Sequence, residues 1–433
     1  MKVLVVGSGG REHALVWSLI HTSRRAVKVF CAPGNAGIAQ LAETVDIDVT
    51  DIKGLADFAA AQEIDLTIVG GETALAAGIA DEFARRNLLI AAPTKDAARL
   101  ESSKSFAKSF MTRHKIPTAH HCTVASLEAA QECLRSGEFG DADTPVVVKA
   151  DGLAAGKGVH VTASHTEALL RVEELMSANA DTASPAVVVL EEKLEGAEAS
   201  LLLWTDGRDY ALMPVARDHK RIGENDTGAN TGGMGVITSH GILDAATLEE
   251  IKRTIIEPTL RGAREEGFEF RGVLYIGLML TADGARVIEY NARLGDPETQ
   301  AILVRLRSDA VEIFQAVARG KLGEINVEWS EDASACVVLA ARGYPHKPET
   351  GHVIEGLETF DMRDDAGGDV RVFHAATTRR NNQWLTAGGR VLGVTATAAH
   401  LDDALAKCYD AITRIKWDGM NYRRDIGRFM RDD

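Results

Sequence analysis

Residues 146–159, VVVKADGLAAGKGV, combine lysines and glycines in a pattern that could bind a polyphosphate. The β-branched run predicts a buried strand that carries Lys149 at the edge of a sheet. Glycines let backbone N–H groups turn toward anionic oxygens without a Cβ in the way. The loop after the strand supplies Gly152, Gly156, Lys157 and Gly158. A β-hairpin with tight glycine turns and solvated lysines fits this stretch equally well.

Residues 287–300, VIEYNARLGDPETQ, contain a candidate metal pair. Strand side chains alternate, so Glu289 and Asn291 share one face and present two oxygens to a common point. Mg²⁺ takes hard oxygen ligands of this kind when phosphate oxygens and water complete its shell. Arg293 follows on the same face, where a guanidinium suits a transferring phosphoryl group or an oxyanion. A surface strand with a salt bridge is the alternative interpretation.

Residues 190–200, LEEKLEGAEAS, predict a strand end that could read a nucleobase. Free backbone groups at Glu191 and Glu192 can meet an adenine edge, and the carboxylate of Glu198 can accept from two ribose hydroxyls. A solvated acidic loop is the simpler alternative. Lys104 lies apart from these residues, in the helix-like run SSKSFAKSFMTRH. Alone it would be a solvated surface lysine, and it is a candidate phosphate ligand only if it lies close to Lys149 in the folded chain.

The polar segment 214–235 contains five glycines and the tetrapeptide DHKR. A loop of this length without its own secondary structure is usually functional or disordered. Asp218 and Lys220 give it both acidic and basic groups. We therefore expect it to cover a substrate.

The elements that must position these residues follow an alternating pattern at the start of the chain. Apolar strands at 3–6, 27–30, 66–69 and 88–91 with helical stretches between them predict a doubly wound parallel sheet for residues 1 to about 100. Later, residues 273–291 predict a hairpin with its turn at Asp283 and Gly284. From about residue 320 strands alternate with glycine turns, before a closing helix at 402–415.

The glycine turn after the first strand, Gly7, Gly9 and Gly10, is similar to a dinucleotide-binding fingerprint. However, Glu12 stands where the third glycine is needed, and no acid ends the strand at 27–30. A nicotinamide cofactor is therefore disfavoured. The turn could hold one substrate phosphate at a helix N-terminus, or its glycines could serve packing alone.

Bulk composition excludes several classes of function. The length of 433 residues predicts two to four domains, and no apolar run approaches the roughly 18 residues of a membrane span. A net charge of −15 opposes binding to nucleic acid or an anionic membrane surface. The five cysteines are scattered, which favours reduced thiols in a cytoplasm. The 13 histidines show no metal-ligand spacing.

Together these motifs resemble the ATP-grasp enzymes, and among them the phosphoribosylamine–glycine ligases. The resemblance runs from residue 2 to residue 427 through VVGSGGREHAL, APGNAG, SSKSFAK, VVKADGLAAGKGV, DHKR, TGANTGGMG, NARLGDPETQ and WDGMNYRRDIG. It implies an α/β and α+β multidomain chain. We expect an N-terminal doubly wound sheet over 1–102, an ATP-grasp core over 103–320 with a mobile lid at about 120–190, and a small β-rich domain over 321–433.

The resemblance also implies a reaction and a set of roles. ATP would drive ligation of glycine to 5-phosphoribosylamine through glycyl phosphate, in purine biosynthesis, in a cytoplasmic monomer. ATP would contact Lys104, Lys149, Gly152, Gly156, Lys157, Gly158, Glu191, Glu192, Leu194 and Glu198. Glu289 and Asn291 would hold Mg²⁺ or Mn²⁺, and catalysis would use Arg293, Asp296 and Asp218. The ribose phosphate of the phosphoribosylamine would contact Gly9, Gly10, Arg11, Glu12 and Asn35, and Lys220 would also bind substrate.

Two other functions are weighed against this one. A carboxylase-type ATP-grasp enzyme such as biotin carboxylase is disfavoured by DHKR and GDPETQ, which resemble the glycine ligases specifically. A nucleotide sensor without turnover is disfavoured because it needs neither the metal pair nor Arg293. The chain differs from the family pattern at Gly71, Ala74, Leu294 and Ala376. We expect the first two changes to affect substrate affinity and the last to strain the backbone if its φ is positive.

Overall fold

The computed structural model describes residues 1–153, 158–178, 186–360 and 369–428. These residues form five sheets, of which three carry the candidate site. Within the described ranges, no helix is both long and apolar enough to cross a bilayer.

The first sheet is five-stranded and parallel, in the order β3-β2-β1-β4-β5. Its strands are β1 Lys2–Gly7, β2 Lys28–Pro33, β3 Glu43–Thr44, β4 Leu66–Val69 and β5 Ile90–Ala91. Its helices are α1 Gly10–His21, α2 Ile52–Ala61, α3 Glu72–Ala76, α4 Ile79–Arg85 and α5 Lys95–Ser102.

Both faces of this first sheet are buried, which confirms the doubly wound architecture. Alternate residues of β1 belong to different apolar clusters: Leu4 packs in the cluster that contains Leu55 of α2, and Val5 in the one that contains Leu15 of α1. The strand expected at 88–91 is only two residues long, and β3 was not predicted because its sequence is exposed and polar.

The second sheet is four-stranded and antiparallel, in the order β6-β9-β7-β8. Its elements, which follow α6 Lys104–Arg113, are β6 His121–Val124, α7 Leu127–Arg135, β7 Val146–Ala150, β8 Val159–Thr162, α8 His165–Ala178 and β9 Val188–Glu192. Val148 and Leu190 face the apolar cluster under α7 and α8. Lys149 and Glu191 therefore point to the opposite face.

The expectation that Lys149 lies at a sheet edge is wrong, because β7 pairs with β9 on one side and β8 on the other. The residues of one strand do not reveal its neighbours. Antiparallel pairing of β7 with β8 also shows that the hairpin interpretation and the phosphate-loop interpretation are compatible, since one hairpin carries both the lysine and the glycines.

Most of the remaining strands build a nine-stranded sheet in the order β17-β16-β10-β12-β15-β18-β23-β20, with β11 paired to β10. Its strands are β10 Ala197–Thr205, β11 Tyr210–Leu212, β12 Ala216–Asp218, β15 Gly235–Thr238, β16 Gly272–Thr281, β17 Gly284–Asn291, β18 Ala333–Ala340, β20 Val370–His374 and β23 Arg390–Ala398. A two-stranded sheet consists of β13 Arg221–Gly223 and β14 Thr227–Asn230, and a three-stranded sheet of β19 Val353–Ile354, β21 Thr377–Arg380 and β22 Gln383–Thr386. The helices are α9 Ala245–Ile251, α10 Glu257–Glu265, α11 Glu298–Leu303, α12 Ala310–Arg319 and α13 Leu401–Ile412.

This sheet includes strands from both sides of residue 320, so the C-terminal strands extend the central sheet. The domain limits that we expect from the sequence stay predictions. The hairpin expected at 273–291 is confirmed as β16 and β17, which meet at Thr281 and Gly284. In that hairpin Glu289 faces Gly277 and Asn291 faces Tyr275, on the same side of β17.

The segment 214–235 is not the loop without secondary structure that we expected. It contains β12 and the hairpin of β13 with β14, and it ends where β15 begins. These strands are three or four residues long and lack an apolar run, so periodicity gives no signal for them. Asp218 ends β12, and Lys220 precedes β13.

Asn35 connects the N-terminal sheet to the C-terminal strands. Its amide nitrogen donates to the carbonyl oxygens of Ser8, His374 and Ala375 at 2.7, 3.0 and 3.2 Å. Its side-chain oxygen accepts from two backbone N–H groups of the following turn, at 2.8 and 2.9 Å. The contact of Asn35 with a ribose phosphate stays a prediction, and the structure gives its side chain a bridging role within the fold.

Replacing Asn35 with Ala should lower the free energy of unfolding by about 1–3 kcal/mol, because the carbonyl and N–H groups that it joins lose their partner. Thermal and denaturant unfolding would measure the change. Asn326→Ala is a matched control, since Asn326 is exposed and its amide donates only to Glu328 among the described residues. Equal stability of the two variants would contradict a bridging role.

Candidate functional site

The carboxylate of Glu289 lies among four cationic side chains. Burial favours its neutral form, but the positive charges of Lys220, Lys149, Lys104 and Arg293 outweigh that effect and lower the pKa of Glu289. These cations come from segments far apart in the sequence. The structure therefore brings together the two lysines, the arginine and the carboxylate that the sequence singled out.

Lys104 opens helix α6 and reaches the start of the glycine loop. Its Nζ donates to the carbonyl oxygen of Gly152 at 2.8 Å, and Gly152 has a φ of +97°, which favours glycine. Asp151 accepts from the hydroxyl of Ser105 at 2.6 Å and so ties the loop to the first turn of α6. Burial lowers the pKa of Lys104.

The remainder of the loop is only partly described. Gly156 and Lys157, both expected to contact ATP, lie outside the described residues. The carbonyl oxygen of Gly158 accepts from the backbone N–H of Ala150 at 2.8 Å, which closes the β7–β8 hairpin.

Lys149 is buried and makes contacts to two strands. Its Nζ lies 2.8 Å from Oε1 of Glu191 and 3.3 Å from the carbonyl oxygen of Ile288. The other oxygen of Glu191 lies 2.8 Å from Nζ of Lys108. Sequence reasoning missed Lys108, although it stands four residues after Lys104 on the same helix and therefore on the same face.

Glu192, Leu194 and Glu198 lie along the connection from β9 to β10. Glu192 accepts from the backbone N–H of His120 at 2.9 Å, and Leu194 is half-buried. Glu198 is 49% exposed and pairs with Lys220 at 3.2 Å. Lys220 is expected to bind a substrate, which stays a prediction, and the structure places it next to the carboxylate expected at the ATP ribose.

Arg293 joins the metal pair to two further acids. Its Nη2 contacts Oδ1 of Asn291 at 3.1 Å and Glu101 at 3.0 Å, and its Nε lies 3.3 Å from Glu72. Its Nη1 donates to the carbonyl oxygen of Leu294 at 3.2 Å. The guanidinium is therefore held on every nitrogen, and Glu72 and Glu101 are site residues that the sequence did not reveal.

Asp296 is held by an arginine from the C-terminal strands. Its carboxylate lies 3.1 Å from Nη2 of Arg390 and accepts from Nε2 of Gln300 at 2.8 Å. Arg390 also donates to the backbone carbonyl of Gly232. Although burial acts in the opposite direction, the charge of Arg390 and those of other nearby arginines lower the pKa of Asp296. No local motif marks Arg390, because its partners are 94 and 158 residues away.

Asp218 presents a buried acceptor. Among the described residues, its Oδ1 has no hydrogen-bond partner. Burial, together with the negative charge of Glu298, raises the pKa of Asp218 well above its usual value. A Cβ at Gly233 would lie 2.7 Å from that oxygen and 2.5 Å from Cδ of Pro297, at a φ of +110°. Only glycine allows this approach of the two segments.

The C-terminal motif at 417–427 supports the segment that carries Asp218. Arg423 is 1% exposed and lies 2.8 Å from Asp425 and 2.6 Å from Asp226. The backbone N–H of Gly427 donates to Nε2 of His219 at 3.1 Å. Contacts from residues near the C-terminus therefore help to hold the segment around His219 in place.

The N-terminal glycine turn packs against residues 294–300. The carboxylate of Glu12 is buried, accepts from the N–H of Gly9 at 2.6 Å and pairs with Nε of Arg11 at 2.7 Å. Arg11 donates to the carbonyl oxygen of Leu294 at 3.0 Å, and a Cβ at Gly10 would lie 2.7 Å from Gln300. The turn therefore borders the site, and its contacts with substrate stay predictions.

Full-length relatives place this geometry in one family. The chain is 43% identical over 426 residues to phosphoribosylamine–glycine ligase from Caldanaerobacter subterraneus subsp. tengcongensis, which covers 98% of this chain and 99% of the relative. It is 45% identical to the enzyme of the same name from Pseudomonas aeruginosa, over 99% of this chain and 97% of the relative. The chain belongs to the phosphoribosylamine–glycine ligase family.

Domain models and solved structures agree with this family. Models of phosphoribosylglycinamide synthetase match residues 1–101 with the N domain, 102–299 with the ATP-grasp (A) domain and 334–429 with the C domain. A crystal structure of phosphoribosylamine–glycine ligase from Thermotoga maritima has a TM-score of 0.82 at 32% identity, over 98% of this chain and 100% of that one. Biotin carboxylase from Campylobacter jejuni has a TM-score of 0.72 at 16% identity, over 97% and 92%, and shares the fold.

The departures from the pattern of phosphoribosylamine–glycine ligases have modest structural effects. Leu294 is 1% exposed in an apolar cluster, as expected for a conservative apolar exchange. Gly71 precedes α3 in an extended conformation that any residue adopts, with φ of −111°. Ala376 is not among the residues of positive φ, so the strain expected there is absent.

The oxygen ligands of this chain fit a divalent ion that is shared with a phosphate ligand. In the described part of the chain, no cluster of three or more His, Cys, Asp or Glu side chains is arranged to hold a metal alone. Glu289 and Asn291 offer two oxygens on one face, and Mg²⁺ commonly takes one or two protein oxygens with phosphate oxygens and water.

Replacing Arg293 with Met should cost about 3–5 kcal/mol of folding free energy, because Glu101, 8% exposed, would keep a buried charge without its cation. The double variant with Glu101→Gln should recover much of the loss, since Gln can still accept from the N–H of Ala292. Denaturant unfolding would measure both.

Arg286→Met, on the strand β17 that precedes Arg293, is the control. Arg286 is 34% exposed and 3.5 Å from its partner Glu192, so its loss should cost less than about 1 kcal/mol. If Arg293→Met proves as mild as Arg286→Met, the buried ion pair contributes no stability.

Proposed function

We propose that this protein joins glycine to 5-phosphoribosylamine at the expense of ATP, giving glycinamide ribonucleotide, ADP and phosphate. The observation that carries the proposal is the convergence of Lys104, Lys149, Lys220 and Arg293 on Glu289. Its support from sequence is the 43–45% identity to phosphoribosylamine–glycine ligases over nearly their whole length.

The cationic cluster suits phosphoryl transfer to a carboxylate. A carboxylate is a poor electrophile, so glycine is first converted to glycyl phosphate and the amine then displaces phosphate. Bringing a triphosphate to a glycine carboxylate crowds negative charge. Each close opposite-charge pair offsets this by about 4 kcal/mol at an effective dielectric constant of 20. Catalysis of this kind depends mainly on positioning and electrostatic stabilisation.

Within this proposal, the nucleotide lies on the face of the second sheet that carries Lys149. Lys104 and Lys149 contact its phosphates, the backbone at 191–194 meets adenine, and Glu198 meets the ribose. Lys220 pairs with Glu198 in the structure, and we assign it to the nucleotide and the transferring phosphoryl group. Glu289 and Asn291 would hold Mg²⁺ or Mn²⁺, which supplies positive charge to the phosphate oxygens when bound.

Glycine would bind beside Asp218. The ammonium group of glycine can donate a hydrogen bond to the buried Oδ1 of Asp218. The nearby negative charge of Glu298 favours a cation at the same place. Hydrogen bonds from Tyr275 at 3.1 Å and Ser200 at 3.3 Å hold Glu298. Arg293 would steady the acyl phosphate, and Asp296 would lie near the attacking amine.

The phosphoribosylamine would approach from the N-terminal glycine turn. Arg11 and the N–H groups that begin α1 lie at the border of the site and suit a ribose phosphate. The five cysteines are free thiols, and we propose that the enzyme works in the cytoplasm, where thiols stay reduced.

Phosphate release, measured with ATP, glycine and fresh phosphoribosylamine and with each omitted in turn, tests the reaction. Turnover should require all three. Turnover without glycine would favour a carboxylase-type reaction, and no turnover in any mixture would favour a nucleotide-binding protein.

Replacing Glu289 with Ala should lower kcat by about 10²- to 10³-fold, because the charge that forms during phosphoryl transfer loses its metal-mediated stabilisation. Nucleotide affinity should change much less, since the lysines remain. Steady-state kinetics at saturating Mg²⁺ and nucleotide titration would separate these effects. Glu250→Ala on α9, outside the site, is the control. Wild-type kcat in Glu289→Ala would remove Glu289 from the metal site.

Replacing Asp218 with Asn should raise KM for glycine by about 10- to 100-fold, because the amide oxygen can still accept from the ammonium group but carries no negative charge. The affinity for ATP should stay near that of the wild type. In the wild type, KM for glycine should rise as the pH falls, because protonation removes the negative charge of Asp218, whose pKa is raised by burial. That dependence should be absent in the variant, and its persistence there would count against Asp218 as the ammonium acceptor.

A further inference from the structure

Lys108 is a third lysine near the nucleotide face, but its amine points into the protein. Its side chain is 2% exposed, and its Nζ lies 2.8 Å from Oε2 of Glu191 and 2.7 Å from the hydroxyl of Thr118. The other oxygen of Glu191 lies 2.8 Å from Nζ of Lys149. Two ammonium groups thus share one buried carboxylate that is 4% exposed.

Lys108, Glu191 and Lys149 form a triad with two positive charges and one negative charge. A pair formed by Glu191 and Lys149 alone would be neutral, and the carboxylate would cancel the charge that Lys149 offers to an anion. Glu191 needs only one cation to compensate its burial, and Lys149 already supplies one. The second cation, Lys108, gives the triad a net charge of about +1 on the side where a phosphate would bind.

We propose that Lys108 is a positioning residue for the nucleotide, acting through Glu191 to leave Lys149 free to attract a phosphate. This inference rests on the proposed function, in which Lys149 contacts the phosphates of ATP. By occupying one carboxylate oxygen, Lys108 fixes the side chain of Glu191 and confines Lys149 to the other oxygen. The Nζ of Lys149 then lies between β9 and β17, 3.3 Å from the carbonyl oxygen of Ile288. Ile288 directly precedes Glu289 in the sequence.

The neighbours of Lys108 fit this role. Thr118 accepts from Lys108 and donates to the carbonyl oxygen of Val287 at 2.6 Å, so the triad is tied to β17, the strand of the metal pair. Helix α6 carries Lys104 at its first position and Lys108 one turn later. One helix therefore supplies a lysine that contacts the ligand directly and another that acts through a carboxylate.

A double-mutant cycle tests the proposal, with Lys108→Met, Glu191→Gln and the combined variant compared by ATP titration and by KM for ATP and glycine. Lys108→Met should weaken ATP binding by about 10- to 100-fold and change KM for glycine by less than about threefold. In the Glu191→Gln background the same change should cost less than about threefold, because no carboxylate then cancels Lys149. Lys108→Arg, which keeps the charge, should bind ATP within about fivefold of the wild type.

Equal losses from Lys108→Met in the two backgrounds would overturn the proposal and leave Lys108 a purely structural residue. If Lys108→Met alone does not fold, a loss of more than about threefold between Glu191→Gln and the combined variant, which lacks both buried charges, would overturn the proposal. Lys53→Met, on an exposed face of α2, is the control for loss of a lysine. Lys149→Met separates the two levels of inference: unchanged ATP affinity there would overturn the assignment of Lys149 itself.

Discussion

The convergence of cationic side chains on the carboxylate of Glu289 is the constraint on which the rest of the site depends. Four cations lie near this one acid, and the charge of Lys149 adds to burial in lowering the pKa of Lys104. Holding these cations close together is unfavourable, because like charges in a partly buried site repel strongly. Within the proposed function, a bound polyanion relieves this repulsion, so a chain with a net charge of −15 can still bind a triphosphate here.

The architecture follows from the need to deliver these cations from distant parts of the chain. Lys104 opens a helix, Lys149 lies on an inner strand of the small sheet, Lys220 follows β12, and Arg293 follows β17. Rigid elements hold side chains more accurately than loops do. The C-terminal strands take part as well: Arg390 fixes the turn at Asp296, so the far end of the nine-stranded sheet is continuous with the site.

Residues could be predicted from sequence where a local pattern carried the information. The hairpin at 273–291 was found because alternating apolar residues flank an Asp-Gly turn, and the same alternation placed Glu289 and Asn291 on one face. The side-chain role of Glu191 could not be found, because its partners, Lys108 and Lys149, are 83 and 42 positions away. They are brought close only by the packing of α6 and by the pairing of β7 with β9. Arg390 lacks a local signal for the same reason.

The same physics explains why the site needs so large a supporting structure. Cations held near one another reduce the stability of the unliganded protein, and buried acids such as Glu101 and Glu191 reduce that loss by pairing with them. Any ligand that binds the native state alone also stabilises it, so within the proposed function a bound triphosphate would offset part of this loss. Cations that are held close together and confined by apolar clusters are thus a cost of folding this site and the proposed source of its affinity for phosphates.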